Sequence, residues 1–175
     1  MKTLYVLCGL PGSGKSTWAM NMRNAILGQT TTVSKDSLRE MVTGGYYVYD
    51  PDTEPMIKDM AYSCILEAAK HRSYAIFIDE THLTVRARHV WIGNTALSEY
   101  EKKCVWCTET EMNLLNRMKE ARGYSEEKWK SVIVGMSESF EPPSVEEGFD
   151  EVIKVGREYN MGYNRYGFGI AEEEK

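Results

Sequence analysis

Several things are missing from this chain, and each absence removes a class of function. No apolar run approaches the ~18 residues of a membrane span. The run Leu4 to Leu10 passes straight into glycines, with no small-residue cleavage site of a secretory leader. A soluble, cytoplasmic protein with no membrane partner is therefore expected. An excess of basic charge is also missing. The formal net charge is −5, which argues against a general basic coat for nucleic acid but leaves room for a local basic groove. Metal-ligand clusters are scarce. Of four cysteines only Cys104 and Cys107 form a C-x-x-C, without a second ligand pair, and His82 and His89 lie in another element. The two cysteines read as small buried residues of a strand. No internal repeat is present.

What remains is a chain of 175 residues with 42% hydrophobic content, enough for one domain with a real core. Short apolar runs alternate with helical stretches. "TLYVLCG", "TTTVS", "YAIFIDE", "KCVWCT" and "FDEVIKV" read as strands. Between them, Lys15–Leu27, "KDSLREMV", Met56–Lys70, a stretch from Thr84 to about Tyr100, Glu109–Ala121 and a segment opened by Ser125 read as helices. "YYVYDPDTEP" reads as a loop, and "SVEEG" as a short turn or helix. Strands that alternate with helices predict an α/β fold, a parallel sheet with helices on both faces. Residues 1–156 form the expected domain. Residues 157–175 lose apolar periodicity and read as a mobile tail rich in glycine and tyrosine.

One loop carries chemistry. Gly9 to Ser16, in "CGLPGSGKST", fits G-x-x-x-x-G-K-[ST] with a strand before it and a helix after it. Glycines let backbone N–H groups turn inward round a phosphate, and the helix N-terminus adds partial positive charge. Gly12, Ser13, Gly14, Lys15, Ser16 and Thr17 are the expected cradle of ATP. Lys15 reaches the outer phosphates, and Ser16 supplies a hard oxygen to Mg²⁺. Asp79 ends the third strand beside that loop and is the second expected magnesium residue, with Glu80 able to share the role. No guanine-reading N-K-x-D is present.

The receiving side is marked by "VSKDSLRE". Asp36 stands just past a strand end, where open parallel sheets bind ligands, and Arg39 follows three residues on. An acid there can accept a hydroxyl proton, and an arginine can grip an acceptor's phosphate. An N-cap aspartate with a solvated arginine would give the same spacing. Arg117 and Arg122, in "LLNRMKEARGY", stand beside a glycine hinge and suit a lid over ATP or a solvated helix face.

These stretches together resemble the 5′-hydroxyl polynucleotide kinases of the bacteriophage and repair type. "GLPGSGKSTWA", "VSKDSLRE", "FIDETHL", "NRMKEARG" and "FEPPSVEEGFDEVIKV" match that family in order, from residue 1 to about residue 156. The resemblance implies a P-loop NTPase fold with a helical lid and an ATP·Mg²⁺-dependent transfer to the 5′-OH of DNA or RNA. It assigns Asp36 as general base, Arg39 to the acceptor's phosphate and Arg122 to the transferring phosphate. Arg117 becomes a second nucleotide contact. His82 departs from the family's D-x-T-N, where an asparagine stands. No phosphatase motif or ligase follows, so a stand-alone kinase module is expected.

Other readings share the loop. The acceptor could be a hydroxymethylated base in phage DNA, an aminoacyl-tRNA or a small metabolite, or the chain could be an ATP-binding switch that transfers nothing. Tyr46, Tyr47 and Tyr49 suit stacking on a base, or ordinary packing. Arg86 and Arg88 suit a phosphate groove or a solvated helix face. Tyr163, Arg165, Tyr166 and Phe168 suit contact with single strands or a disordered tail.

Overall fold

The computed structural model describes residues 1–45, 49–71, 73–108 and 125–156. Five strands form one parallel sheet: β1 (Lys2–Cys8), β2 (Thr30–Val33), β3 (Ala75–Ile78), β4 (Tyr100–Cys107) and β5 (Glu151–Val155), in the order β2-β3-β1-β4-β5. β1 lies in the middle, with Val6 opposite Ile78 on one side and Cys104 on the other. All five expected strands are present. Among the described residues the α-helices are α1 (Lys15–Ala25), α2 (Lys35–Val42), α3 (Glu54–Lys70), α4 (Val85–Ile92) and α5 (Glu126–Glu138).

Alternation along the strands divides the core in two. Leu4, Val6 and Cys8 face one side, packed with Ile65 of α3 and Trp91 of α4. Leu7 faces the other, with Trp18 and Ala19 of α1, and Tyr5 stacks on Phe77 there. A sheet buried on both faces reads as unbroken apolar runs, and "AIFI" of β3 is buried throughout. Cys104 and Cys107 fall on opposite faces, so the C-x-x-C is core and not a ligand pair.

Three helix boundaries differ from the sequence expectation. α3 begins at Glu54, inside the stretch read as loop, because Thr53 stands at its N-cap and Pro55 fits the first turn, where no N–H is needed. α4 is short and stops before Gly93, and a 3₁₀ turn at Thr95–Leu97 takes over. α1 ends at Ala25, before Gly28. Ser125 and Thr84 do cap their helices, accepting from the N–H groups of Lys128 and Ala87. Among the described residues no helix is long and apolar enough to cross a membrane. The expected helix at Glu109–Ala121 and the tail at 157–175 lie outside the described residues.

The turn out of β1 is tightly set. Gly9 has φ +140°, and a Cβ there would lie 2.5 Å from the Cys107 carbonyl oxygen and 2.9 Å from Ser13 Oγ. Gly9→Ala is expected to lower stability by about 1–3 kcal/mol from backbone strain, with the clash adding to it. Thermal unfolding checks this, and an unchanged midpoint would contradict it.

Candidate functional site

The ends of three strands open into one cleft of ≈560 Å³. The phosphate-type loop leaves β1, α2 starts after β2, and Asp79 follows β3. Gly12, Lys15, Ser16, Asp36, Arg39 and Asp79 all line this space, and so do Lys35, Tyr49, Glu80 and Trp129. The sequence-predicted residues on the first three strands are thus brought together.

Gly14 stands in the left-handed region at φ 95° and hands the chain to α1. The first turn of α1 carries no acidic residue, so its positive end is left for a ligand. Lys15 is buried, and its Nζ donates to the Leu10 carbonyl at 2.8 Å. Burial pushes the Lys15 ammonium below its usual range, and the nearby Asp79 carboxylate opposes that shift. Ser13 is buried under the loop, its hydroxyl turned toward Gly9 and not into the cleft. Thr17 is exposed and is not among the residues that line the cleft.

Asp79 is held by its backbone, which donates to the Val33 carbonyl at 2.8 Å and so ties β3 to the end of β2. Burial pushes its carboxyl up, while the Ser16 hydroxyl and then Lys15 oppose the shift. Ser16 and Asp79 therefore face each other across the same cleft. One hydroxyl and one carboxylate suit Mg²⁺, which takes few protein oxygens and fills its octahedron with water and phosphate. Among the described residues no group of three His, Cys, Asp or Glu side chains forms a complete metal cage. Glu80 also lines the cleft; its Oε2 pairs with Lys35 Nζ at 2.7 Å, while its Oε1 is buried without a hydrogen-bond partner among the described residues.

On the far side Asp36 sits in the first turn of α2, whose N-cap is Ser34. The cap-aspartate reading is thereby excluded. Arg39 Nη1 donates to Asp36 Oδ1 at 2.6 Å. The same guanidinium grips Glu54 of α3 through two bonds, Nε to Oε1 at 2.6 Å and Nη2 to Oε2 at 2.7 Å. Two carboxylates thus share one partly buried cation, a fork geometry that only arginine provides. Tyr49 lies over this guanidinium, 5.8 Å from ring centre to Cζ. Glu54 is the residue that sequence reasoning missed. Its signal was available: an acid directly after a helix N-cap threonine.

Two expectations for arginines need correction or fall outside the described residues. Arg88 neither lines a groove nor faces solvent. It is fully buried and paired with Glu147 through two bonds of 2.7 Å. Removing one partner of such a pair typically costs about 3–5 kcal/mol, because the other charge is left stranded. Arg117, Arg122, Tyr46 and Tyr47 lie outside the described residues.

Residues 4–143 match the family model described as AAA domain. The chain belongs to that AAA domain family. Its fold is that of the P-loop kinases, and such a fold implies nucleotide binding. Solved structures agree with this family's architecture. A chain of the Pnkp1/Rnl/Hen1 RNA repair complex is 23% identical, covers 80% of this chain and 46% of its own length, and has a TM-score of 0.58. A fungal RNA kinase is 16% identical over 88% of this chain and 73% of its own, with a TM-score of 0.59. Shikimate kinase from Acinetobacter baumannii, in complex with shikimate, is 12% identical over 91% and 87%, with a TM-score of 0.57. At these identities the likeness is one of fold. This AAA domain chain spans less than half the length of the repair-complex chain it resembles. A sequence search of curated proteins gave no match.

The Arg39 guanidinium holds the Glu54 carboxyl below the usual carboxylate range. A folded pKa below the unfolded one gives stability that is present above the unfolded pKa and lost as pH falls through the folded value. The wild type is therefore expected to melt above Glu54→Gln at neutral pH, with the gap closing as pH drops below about 4.5. Thermal unfolding across that range checks it, and a gap independent of pH would contradict it.

Proposed function

We propose that residues 1–156 are an ATP-dependent kinase module that transfers the γ-phosphate to a hydroxyl, and that the hydroxyl is the 5′-OH of a DNA or RNA strand. One observation carries this reading. Asp36, paired with Arg39, which Glu54 in turn holds, lines the same cleft as Lys15, Ser16 and Asp79. A nucleotide-binding switch needs the second group of residues and has no use for the first.

In this reading ATP lies along Gly12 to Thr17. Lys15 exchanges the Leu10 carbonyl for outer phosphate oxygens, a short movement for a flexible side chain. Ser16 and Asp79 would hold Mg²⁺, which when bound neutralises charge on the phosphate oxygens. Asp36 orients the acceptor hydroxyl toward the γ-phosphate and takes its proton. Arg39 keeps the Asp36 carboxylate turned to the cleft and offers its charge to an acceptor phosphate. The γ-phosphoryl group then passes in line, with Lys15 and the lid residue Arg122 on the developing charge.

The apolar part of the cleft wall favours a nucleotide acceptor. Trp129, Val132 and Met136 of α5 present an apolar face to the cleft, and Tyr49 borders it. Apolar and aromatic walls suit a sugar and base stacked beside the reacting hydroxyl. The likeness to a chain of an RNA repair complex and to a fungal RNA kinase points the same way. A second reading, a small polyol or metabolite as acceptor, is favoured by the similarity to shikimate kinase across most of both chains.

An acceptor panel separates the two. Labelled γ-phosphate from ATP should pass to an oligonucleotide with a free 5′-OH and not to the same strand already 5′-phosphorylated. Label on small polyols alone would replace the polynucleotide reading with the metabolite one. Label on no acceptor, with ATP still bound, would overturn the kinase reading.

A further inference from the structure

His82 is the one departure inside the motif that follows β3, and it is unusual in three ways. It is the only non-glycine residue with positive φ among the described residues, at φ 39°. Its side chain is buried. Both ring nitrogens are engaged: Nδ1 lies 2.7 Å from the Leu7 carbonyl oxygen, and Nε2 accepts from the Trp91 indole at 2.9 Å.

Those two bonds decide where the proton is. An indole N–H only donates, so Nε2 of His82 carries no proton. A carbonyl only accepts, so Nδ1 carries it and donates to Leu7. The ring is a neutral strut from α4 through the motif loop to the end of β1. It has no nitrogen left for a metal or for proton transfer.

The strut sits within a dense set of ties. The Gly9 N–H donates to the Thr81 carbonyl at 2.9 Å. The His82 carbonyl accepts from Arg88 Nη1 at 2.9 Å and from Cys8 Sγ at 3.4 Å. Arg88 is itself fixed by Glu147, on the 3₁₀ turn ahead of β5. Residues 7–9 and 81–82 are thus fastened to each other just past Asp79, whose own N–H is bonded to the Val33 carbonyl. Leu7 to Gly9 lead into the phosphate-type loop, so Asp79 and Ser16 are placed relative to each other through these bonds.

We propose that His82 is a positioning residue: held as its Nδ1–H tautomer between Trp91 and Leu7, it sets Asp79 against the phosphate-type loop so that the two can share one magnesium ion. An asparagine at this position would tolerate the positive φ, but its shorter amide cannot meet both Leu7 and Trp91. His82 and Trp91 therefore work as a pair. The inference rests on Asp79 and Ser16 serving magnesium and not on the acceptor, so failure of the 5′-OH reading would leave it standing.

The test uses the full chain and contains no acceptor. A fluorescent ADP analogue is titrated with and without magnesium into the wild type, Trp91→Phe and His82→Asn, and nitrogen NMR reads the histidine tautomers. The chain has three histidines, and His82→Asn assigns the His82 signal by its loss. The Nδ1–H form is expected in the wild type and, kept by the Leu7 carbonyl, also in Trp91→Phe. Magnesium-free affinity should change little in either variant, while the gain on adding magnesium falls about tenfold, the usual effect of losing a supporting bond behind a metal ligand. Combining the two substitutions should cost little more than either alone. An Nε2–H ring in the wild type overturns the proposal. So does a magnesium gain equal in variants and wild type, or an equal loss of affinity with and without magnesium, which would mark a merely structural role.

Discussion

No side chain fits where the chain leaves β1, and the cleft depends on that. At Gly9 the nearest backbone oxygen, that of Cys107, stands 2.5 Å from where a Cβ would be. Only glycine lets the middle strand turn so close to its neighbour β4. The turn delivers the glycine loop over the strand ends, and Gly14 at positive φ then starts α1 with its positive end toward the cleft. Because β1 has β3 on one side and β4 on the other, the residues after β3 arrive beside the loop without further chain. The site is thus a consequence of strand order, placed at the carboxyl ends of the parallel strands.

Charge in the cleft is arranged in pairs. Lys35 holds Glu80, and Arg39 is shared by Asp36 and Glu54. Pairing makes burial of so many ions tolerable. It also orients them before any substrate arrives, which is the main way a phosphoryl-transfer site lowers its barrier. Lys15 resting on a loop carbonyl is the exception. Its bond there is to a neutral group, which phosphate oxygens readily replace.

Much of this was legible in the sequence, for physical reasons that differ by element. Strands buried on both faces leave unbroken apolar runs, so all five were visible. The glycine loop, Asp36 and Asp79 were visible because each stands at a strand end, where spacing along the chain fixes position in space. Glu54 was not, since its partner Arg39 is on another helix and its own stretch, rich in Asp and Pro, looked like a loop. Arg88 was misjudged for the same reason. Nothing local distinguishes a buried arginine from a solvated one until Glu147 arrives from a distant turn. His82 could be seen as a departure from a motif, but its role needed Trp91, brought close by α4.

In the proposed reading Asp36 serves the acceptor and not the nucleotide. This role is tested most directly by Asp36→Asn, a change of charge at nearly constant shape. ATP affinity should be unchanged, while phosphoryl transfer to a 5′-OH oligonucleotide falls by about 10²–10⁴, the usual contribution of a general base. Transfer close to wild type, or loss of ATP binding together with transfer, would contradict the account.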